Sequence, residues 1–288
     1  MKKLSIMDYD IEKSSTEIFW IEMTNITFQW LIDKIMLRFS DKKKTFITTP
    51  NPEILNKSLK DKEFRNILKK SEFATPDGIG LYLAYQVLNY KNIFIRIFIL
   101  PYAWFNILFR KKYLWKKYWD KICGSDLTLA ILDIASQKEI KIWIIDPKQV
   151  LNDEISKKKK YIQENFDELF GKKYPKLEYK LIVYDGNNEK LYQTIKKEKI
   201  QIAFSTIGMK KQEIMSFNIL KNTNCLLTLW IGSSFDYITG FQKRAPKKYG
   251  NNGFEWVYRL IVNPWRWKRL KRIYNATIVF TFNVILSK

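Results

Sequence analysis

The 288-residue chain has no histidine and only two cysteines, and these scarcities remove most familiar catalytic schemes. Without histidine there is no Ser–His or Cys–His nucleophile and no His-ligated zinc. Cys123 and Cys225 are too few for a four-thiolate zinc site. Far apart in sequence and set in or beside apolar stretches, they argue against a disulfide framework and fit a reducing cytoplasm. A general base must be Asp, Glu, Lys or Tyr.

Long hydrophobic runs are also lacking. Residues 93–109 are apolar but contain Arg96 and Pro101, and the run 276–286 is shorter still, whereas a membrane span needs about 20 apolar residues. Lys2 and Lys3 are followed by only four residues before Asp8, so no signal-peptide core is expected. The glycine patterns of a dinucleotide fingerprint and of a phosphate loop are missing, which disfavours nicotinamide and kinase-type readings.

Positive charge and aromatic residues are abundant. The formal net charge is +22 and aromatics make up 16% of the chain. Residues 91–121 hold eight Lys and Arg against one acid, and residues 241–288 hold eleven against one. Both segments are crowded with Trp, Tyr and Phe, as in interfacial membrane elements; a solvated basic face explains the charge but not the apolar residues. Nucleic acid also attracts basic, aromatic surfaces. The sequence lacks a recognised nucleic-acid module, so a membrane surface is the expected partner and nucleic acid is not.

Strand-like runs at 45–49, 140–145, 179–184, 200–207 and 225–231 alternate with helical patterns. The helices are expected at 28–39, 56–70, 79–90, 126–138, 150–169, 188–198 and 211–222. Alternation of this kind predicts an α/β fold, a Rossmann-like, mostly parallel sheet flanked by helices. It occupies residues 1–240, and residues 241–288 form a basic, aromatic helical appendage. The run 225–231 ends in Gly232, Ser233 and Ser234, where open α/β sheets place ligands; the plainer alternative is a turn with Phe235 packed beneath it. Asp77, directly before a helix, is the best-placed carboxylate, either as a base or as a helix cap.

Seven motifs occur in order: Thr49-Pro50-Asn51-Pro52-Glu53, Pro76-Asp77-Gly78, Gly124-Ser125-Asp126, Gly208 with Gln212-Glu213, Gly232 to Phe235 with Asp236, Lys243-Arg244-Ala245-Pro246, and Glu255-Trp256 with Tyr258-Arg259-Leu260. Together they resemble the WecG/TagA/CpsF glycosyltransferases, glycosyltransferase family 26, over roughly residues 21–269. The resemblance implies inverting transfer of a sugar, often N-acetylmannosamine or its uronic acid, from a UDP-sugar to a polyprenyl-diphosphate-linked saccharide. It implies no cofactor and no metal, and work at the cytoplasmic face of the cell membrane by a peripheral protein. By the same resemblance Asp77 is the catalytic base. Thr49 and Asn51 line the pocket, Gln212 and Glu213 the donor site, and Gly232 and Asp236 the pocket wall. Lys121 faces phosphate, while Arg244, Arg259, Arg266 and Arg269 belong to a C-terminal lid. A homo-oligomer is left open.

The chemistry is consistent with these roles. Displacing UDP with inversion needs a base for the acceptor hydroxyl and cations for the departing diphosphate. An Asp with its ordinary pKa of about 3.9 needs an enclosed site to serve near neutrality. Without a metal, Arg and Lys carry the diphosphate charge. The chain departs from the family pattern at Asp120 and Lys121, where Glu-Arg is usual, at Lys210, where Pro is expected, and at Asp146 and Trp230, where glycines are common. Residues 91–119 read as an insertion with the character of an amphipathic membrane element. The departures also allow a non-catalytic partner subunit of a polysaccharide transferase, against which stands the retention of Asp77, Gln212 and Glu213.

Overall fold

The computed structural model describes residues 14–110, 112–114, 122–149, 153–246, 258, 261 and 267–287. A hairpin of β1 (Ser14–Ile18) and β2 (Ile21–Asn25) comes first. Then follow β3 (Thr45–Thr48), β4 (Phe73–Ala74), β5 (Ile142–Pro147), β6 (Tyr179–Tyr184), β7 (Ile202–Ser205) and β8 (Leu227–Trp230). These six build one parallel sheet in the order β4-β3-β8-β7-β5-β6.

The period-two alternation of side chains divides the interior into two layers. Phe46, Trp143, Ile145 and Ala203 join one core, while Ile47, Ile144, Ile202 and Phe204 join the other. β3, β7 and β8 are buried along their whole length, which is why their sequences hold only apolar residues, Thr and Ser. Covered on both faces by helices, the sheet is the Rossmann-like α/β arrangement the alternation predicts.

The carboxy-terminal helices Trp267–Tyr274 and Phe280–Leu286 are joined by a π-helical turn, Asn275–Val279. Phe280 and Val284 are fully buried in the same layer as the helix Gly80–Leu88. Asn56 fixes this docking: its Nδ2 donates to the Asn275 carbonyl at 2.6 Å, and its Oδ1 accepts from Asn283 Nδ2 at 2.8 Å. The hairpin reaches the same helices, since Phe19 packs edge-on against Phe280 with ring centroids 5.6 Å apart.

Several boundaries differ from the sequence expectation. The helix predicted from residue 56 begins at Pro52 and breaks at Asp61, where Lys62–Leu68 starts anew. The long helix predicted over 150–169 is two, Glu154–Glu164 and Phe166–Gly171, separated at Asn165. The hairpin and the two-residue β4 were not anticipated. Gly232 opens a short helix, Gly232–Ile238, rather than a loop. Among the described residues no helix is long and apolar enough to cross a membrane.

Candidate active site

In a parallel sheet every strand ends at the same edge, and there several of the described motif residues lie. Thr49 and Asn51 follow β3, Asp77 follows β4, the Gln212–Glu213 pair opens the helix after β7, and Gly232 follows β8. The first two loops are tied together: Thr75 N–H donates to the Thr48 carbonyl at 2.8 Å and Asp77 N–H to the Pro50 carbonyl at 2.9 Å. Two close approaches follow, the first too tight for any side chain and the second merely snug. A Cβ on Gly80 would stand 2.8 Å from Pro52 Cγ, and one on Gly124 would stand 3.3 Å from Thr49 Oγ1. Thr49 therefore sits against the amino-terminal end of the 14-residue helix Gly124–Gln137, where the helix dipole favours an anion.

Asn51 has a structural duty as well. Its side chain accepts from Ile54 N–H at 3.0 Å and caps the helix Pro52–Lys60, with Pro52 at the first helical position. Asp77, by contrast, is not the N-cap of the next helix; that position is Ile79, without a side-chain cap bond.

Glu213 is fully buried. Gln212 Nε2 donates to its Oε1 at 3.1 Å, and among the described residues Oε2 has no hydrogen-bond partner. Burial pushes its pKa up from the ordinary 4.5 to about 7, against the bond from Gln212 and the charge of Lys57. A carboxyl that changes charge near neutrality at the binding edge of an α/β sheet is a functional candidate.

The concavity lined by Lys141, Trp143, Glu178, Lys180, Lys197 and Glu198 lies at the opposite, amino-terminal edge. Four of its charges pair, Lys141 with Glu178 at 2.5 Å and Lys180 with Glu198 at 3.0 Å, and no motif residue lines it.

The family model for the Glycosyl transferase WecG/TagA/CpsF family matches residues 16–98 and 106–288. The chain belongs to this family. It is 27% identical over 259 residues to an N-acetylglucosaminyldiphosphoundecaprenol N-acetyl-beta-D-mannosaminyltransferase of Bacillus subtilis, covering 88% of this chain and 86% of that protein. A protein of the same name from Staphylococcus aureus is 22% identical over 284 residues, covering 96% of each. One from Bacillus spizizenii is 25% identical over 234 residues, covering 80% of this chain and 76% of that protein.

Not all residues that the family pattern singles out can be placed. Lys121, Arg259 and Arg266 lie outside the described residues, as does the side chain of Arg269, whose backbone is in the helix Trp267–Tyr274. Arg244 is placed, its Nη2 2.6 Å from Asp126 Oδ1 in the first turn of the Gly124 helix. Asp236 accepts from Gln242 Nε2 at 3.2 Å, so it steadies the chain leading to Arg244.

Two cations near the site escaped the sequence reading. Lys57 acts on Glu213, and Arg272 Nε reaches both carboxylate oxygens of Glu53, in the first turn after the Asn51 cap. Each is one basic residue among 51 Lys and Arg, so the sequence carries no signal for either.

The departures from the family pattern have local causes and effects. Lys210 adopts φ 72°, closed to the proline expected there, and pairs with Asp61 at 2.7 Å. The Gly208 turn therefore takes a course that a proline would forbid. Asp146, at the carboxyl end of β5, accepts from Thr206 Oγ1 and Gln163 Nε2; burial raises its pKa, against those two bonds and the charge of Lys159. It thus joins the ends of β5 and β7, where the loops diverge toward β6 and β8.

Proposed function

We propose that this glycosyltransferase moves a hexose with inversion from a UDP-sugar to a polyprenyl-diphosphate-linked saccharide. N-acetylmannosamine, its uronic acid or a related sugar is the donor group, and the product enters cell-surface polysaccharide synthesis. The observation that carries this reading is the convergence of Thr49, Asp77 and the Gly124 helix start at one sheet edge, in a chain similar over most of its length to enzymes named for such a transfer. The protein works peripherally at the cytoplasmic face of the membrane, where the lipid-linked acceptor lies.

In this reading Asp77 takes the proton from the acceptor hydroxyl as that oxygen attacks the anomeric carbon, and the bond to the UDP oxygen breaks on the opposite face. The helix start at Gly124, with Arg244 beside it and Lys121 before it, stabilises the departing diphosphate. Gln212 and Glu213 hold the donor, the buried carboxyl accepting a sugar or ribose hydroxyl. Thr49 and Asn51 line the space between them, Gly232 and Asp236 form its wall, and Arg259, Arg266 and Arg269 close over it as a lid. Residues 1–240 make the catalytic domain and residues 241–288 the appendage that completes it.

The decisive experiment screens UDP-sugars against an undecaprenyl-diphosphate-linked N-acetylglucosamine acceptor, with Asp77→Asn as control. The wild type is expected to turn over at least one UDP-sugar, and the variant to bind UDP normally while losing at least about 100-fold in kcat. Wild-type turnover by the variant would remove Asp77 from the role of base, and no turnover with any donor would remove the reading.

A further inference from the structure

The helix Ile93–Phe109 breaks the usual rule for a surface helix. Its inner face is conventional: Ala103, Asn106 and Ile107 are buried against the rest of the protein. Its outer face should be polar. Instead Phe94, Phe98, Tyr102, Phe105 and Phe109 line it at helical spacing, with Phe98 89%, Phe94 74% and Phe109 72% exposed. The neighbouring carboxy-terminal segment repeats the pattern. Tyr274, Ile278, Phe282 and Leu286, four residues apart, are all exposed, while Phe280 and Val284 point inward.

The two elements are fastened by one side chain. Arg96 is 6% exposed, and its Nη1 donates to the carbonyls of Val284 at 3.3 Å, Ile285 at 3.1 Å and Ser287, while Nε donates to Tyr90 O at 2.6 Å. The last carbonyls of a helix have no partner within it, so this guanidinium satisfies them and complements the negative end of the dipole. An arginine that looks in sequence like an interruption of an apolar run is the clasp between two helices.

We infer that the helix Ile93–Phe109 and the carboxy-terminal helices form one platform, held by Arg96, that docks into the surface of a bilayer containing anionic lipid. Charge and composition select that occupant. Lys91 precedes the first stripe, Arg110 and Lys112 follow it, and Lys271 stands at the head of the second. The helix Ile93–Phe109 itself carries no acid. Aromatic stripes between basic flanks suit the headgroup boundary, where rings enter the acyl region and cations meet phosphate.

The depth follows from the backbone. Seventeen residues reach about 25 Å, and one face is already occupied by protein, so the helix lies in the membrane plane. Pro101 supplies no N–H to the Ile97 carbonyl, a deficit that hydrocarbon penalises and the hydrated boundary does not. The inference rests on the proposed function only in giving the protein a reason to meet a bilayer, namely a lipid-linked acceptor.

The test sediments the full chain with vesicles of phosphatidylcholine alone or mixed with phosphatidylglycerol. The wild type is expected to bind the mixed vesicles, and Phe94→Ser/Phe98→Ser to bind at least about tenfold more weakly, with UDP binding and melting temperature unchanged. Arg96→Gln is expected to weaken vesicle binding with every exposed ring intact, and to raise amide exchange over 280–287. Wild-type binding by the double variant overturns the platform. So does a wild type that ignores both vesicles and sediments as a dimer, which assigns the stripes to self-association. Unchanged exchange in Arg96→Gln overturns the clasp, and equal binding to both vesicle types overturns the anionic selection. Vesicle binding without sugar transfer would remove the proposed function and leave the platform standing.

Discussion

Arg272 and Glu53, 219 residues apart, meet with the arginine Nε 2.8 Å and 3.1 Å from the two carboxylate oxygens. Glu53 is in the first turn of the helix capped by Asn51, beside the loop that carries Thr49. A carboxylate there would repel a diphosphate if left alone, and Arg272 neutralises it.

Arg272→Ala should therefore act on donor affinity more than on stability. The pair is partly exposed on the arginine side, so its loss costs at most about 1 kcal/mol of folding free energy. KM for the UDP-sugar is expected to rise by about 3- to 10-fold, and Glu53→Gln in the same chain should restore most of it. Steady-state kinetics of the two single variants and the double variant measure this coupling. Additive effects would mean that the two residues do not work through each other.

Glu213 gives the protein a pH signature. Its pKa is 4.5 in the unfolded chain and about 7 when folded, so below 4.5 both states are protonated and the group is neutral for stability. As pH rises from 4.5 to 7 the unfolded state ionises first, and stability falls. Above 7 the full cost, on the order of 3 kcal/mol, is present. Asp146, also raised by burial, pushes in the same direction. Glu213→Gln should accordingly melt higher than wild type at pH 8, by several degrees, and about equally at pH 4.5. Melting curves at the two pH values decide it. In the same variant the donor KM should rise, since the amide no longer ionises where the sugar is held.

The grouping of the described motif residues was legible because each motif is short and follows a strand or opens a helix. Asp77 and Thr49 fall where the motif order places them, at adjacent strand ends. The sheet was legible because β3, β7 and β8 are buried along their whole length and leave runs broken only by Thr and Ser. What was missed had no periodicity to show. β4 is two residues long, and the β1–β2 hairpin turns through Phe19 and Trp20, both at positive φ, without the glycine that usually marks such a turn. The Asn51-Pro52-Glu53 sequence did announce a helix start, with cap, proline and acid in their usual places, yet its ligand-pocket reading obscured the capping role. The Arg272–Glu53 and Arg96–Ser287 contacts join residues about 200 apart, and no local pattern encodes such pairs.

Gly80 offers a prediction with an unusual sign. In the first turn of a helix, Gly→Ala ordinarily gains up to about 1 kcal/mol of helix propensity. Here the new methyl would stand 2.8 Å from Pro52 Cγ, and a proline ring fixed at a helix start cannot swing aside. Overpacking of this kind costs about 1–3 kcal/mol, so Gly80→Ala should lose stability on balance. The displaced Pro52 would carry Asn51 and the Pro50 carbonyl with it, and that carbonyl holds Asp77 N–H. Turnover should therefore fall by more than melting temperature alone explains, with kcat affected more than donor KM. Chemical denaturation together with kinetics checks both parts, and a more stable, fully active Gly80→Ala protein would show that the two loops are not packed as tightly as this contact requires.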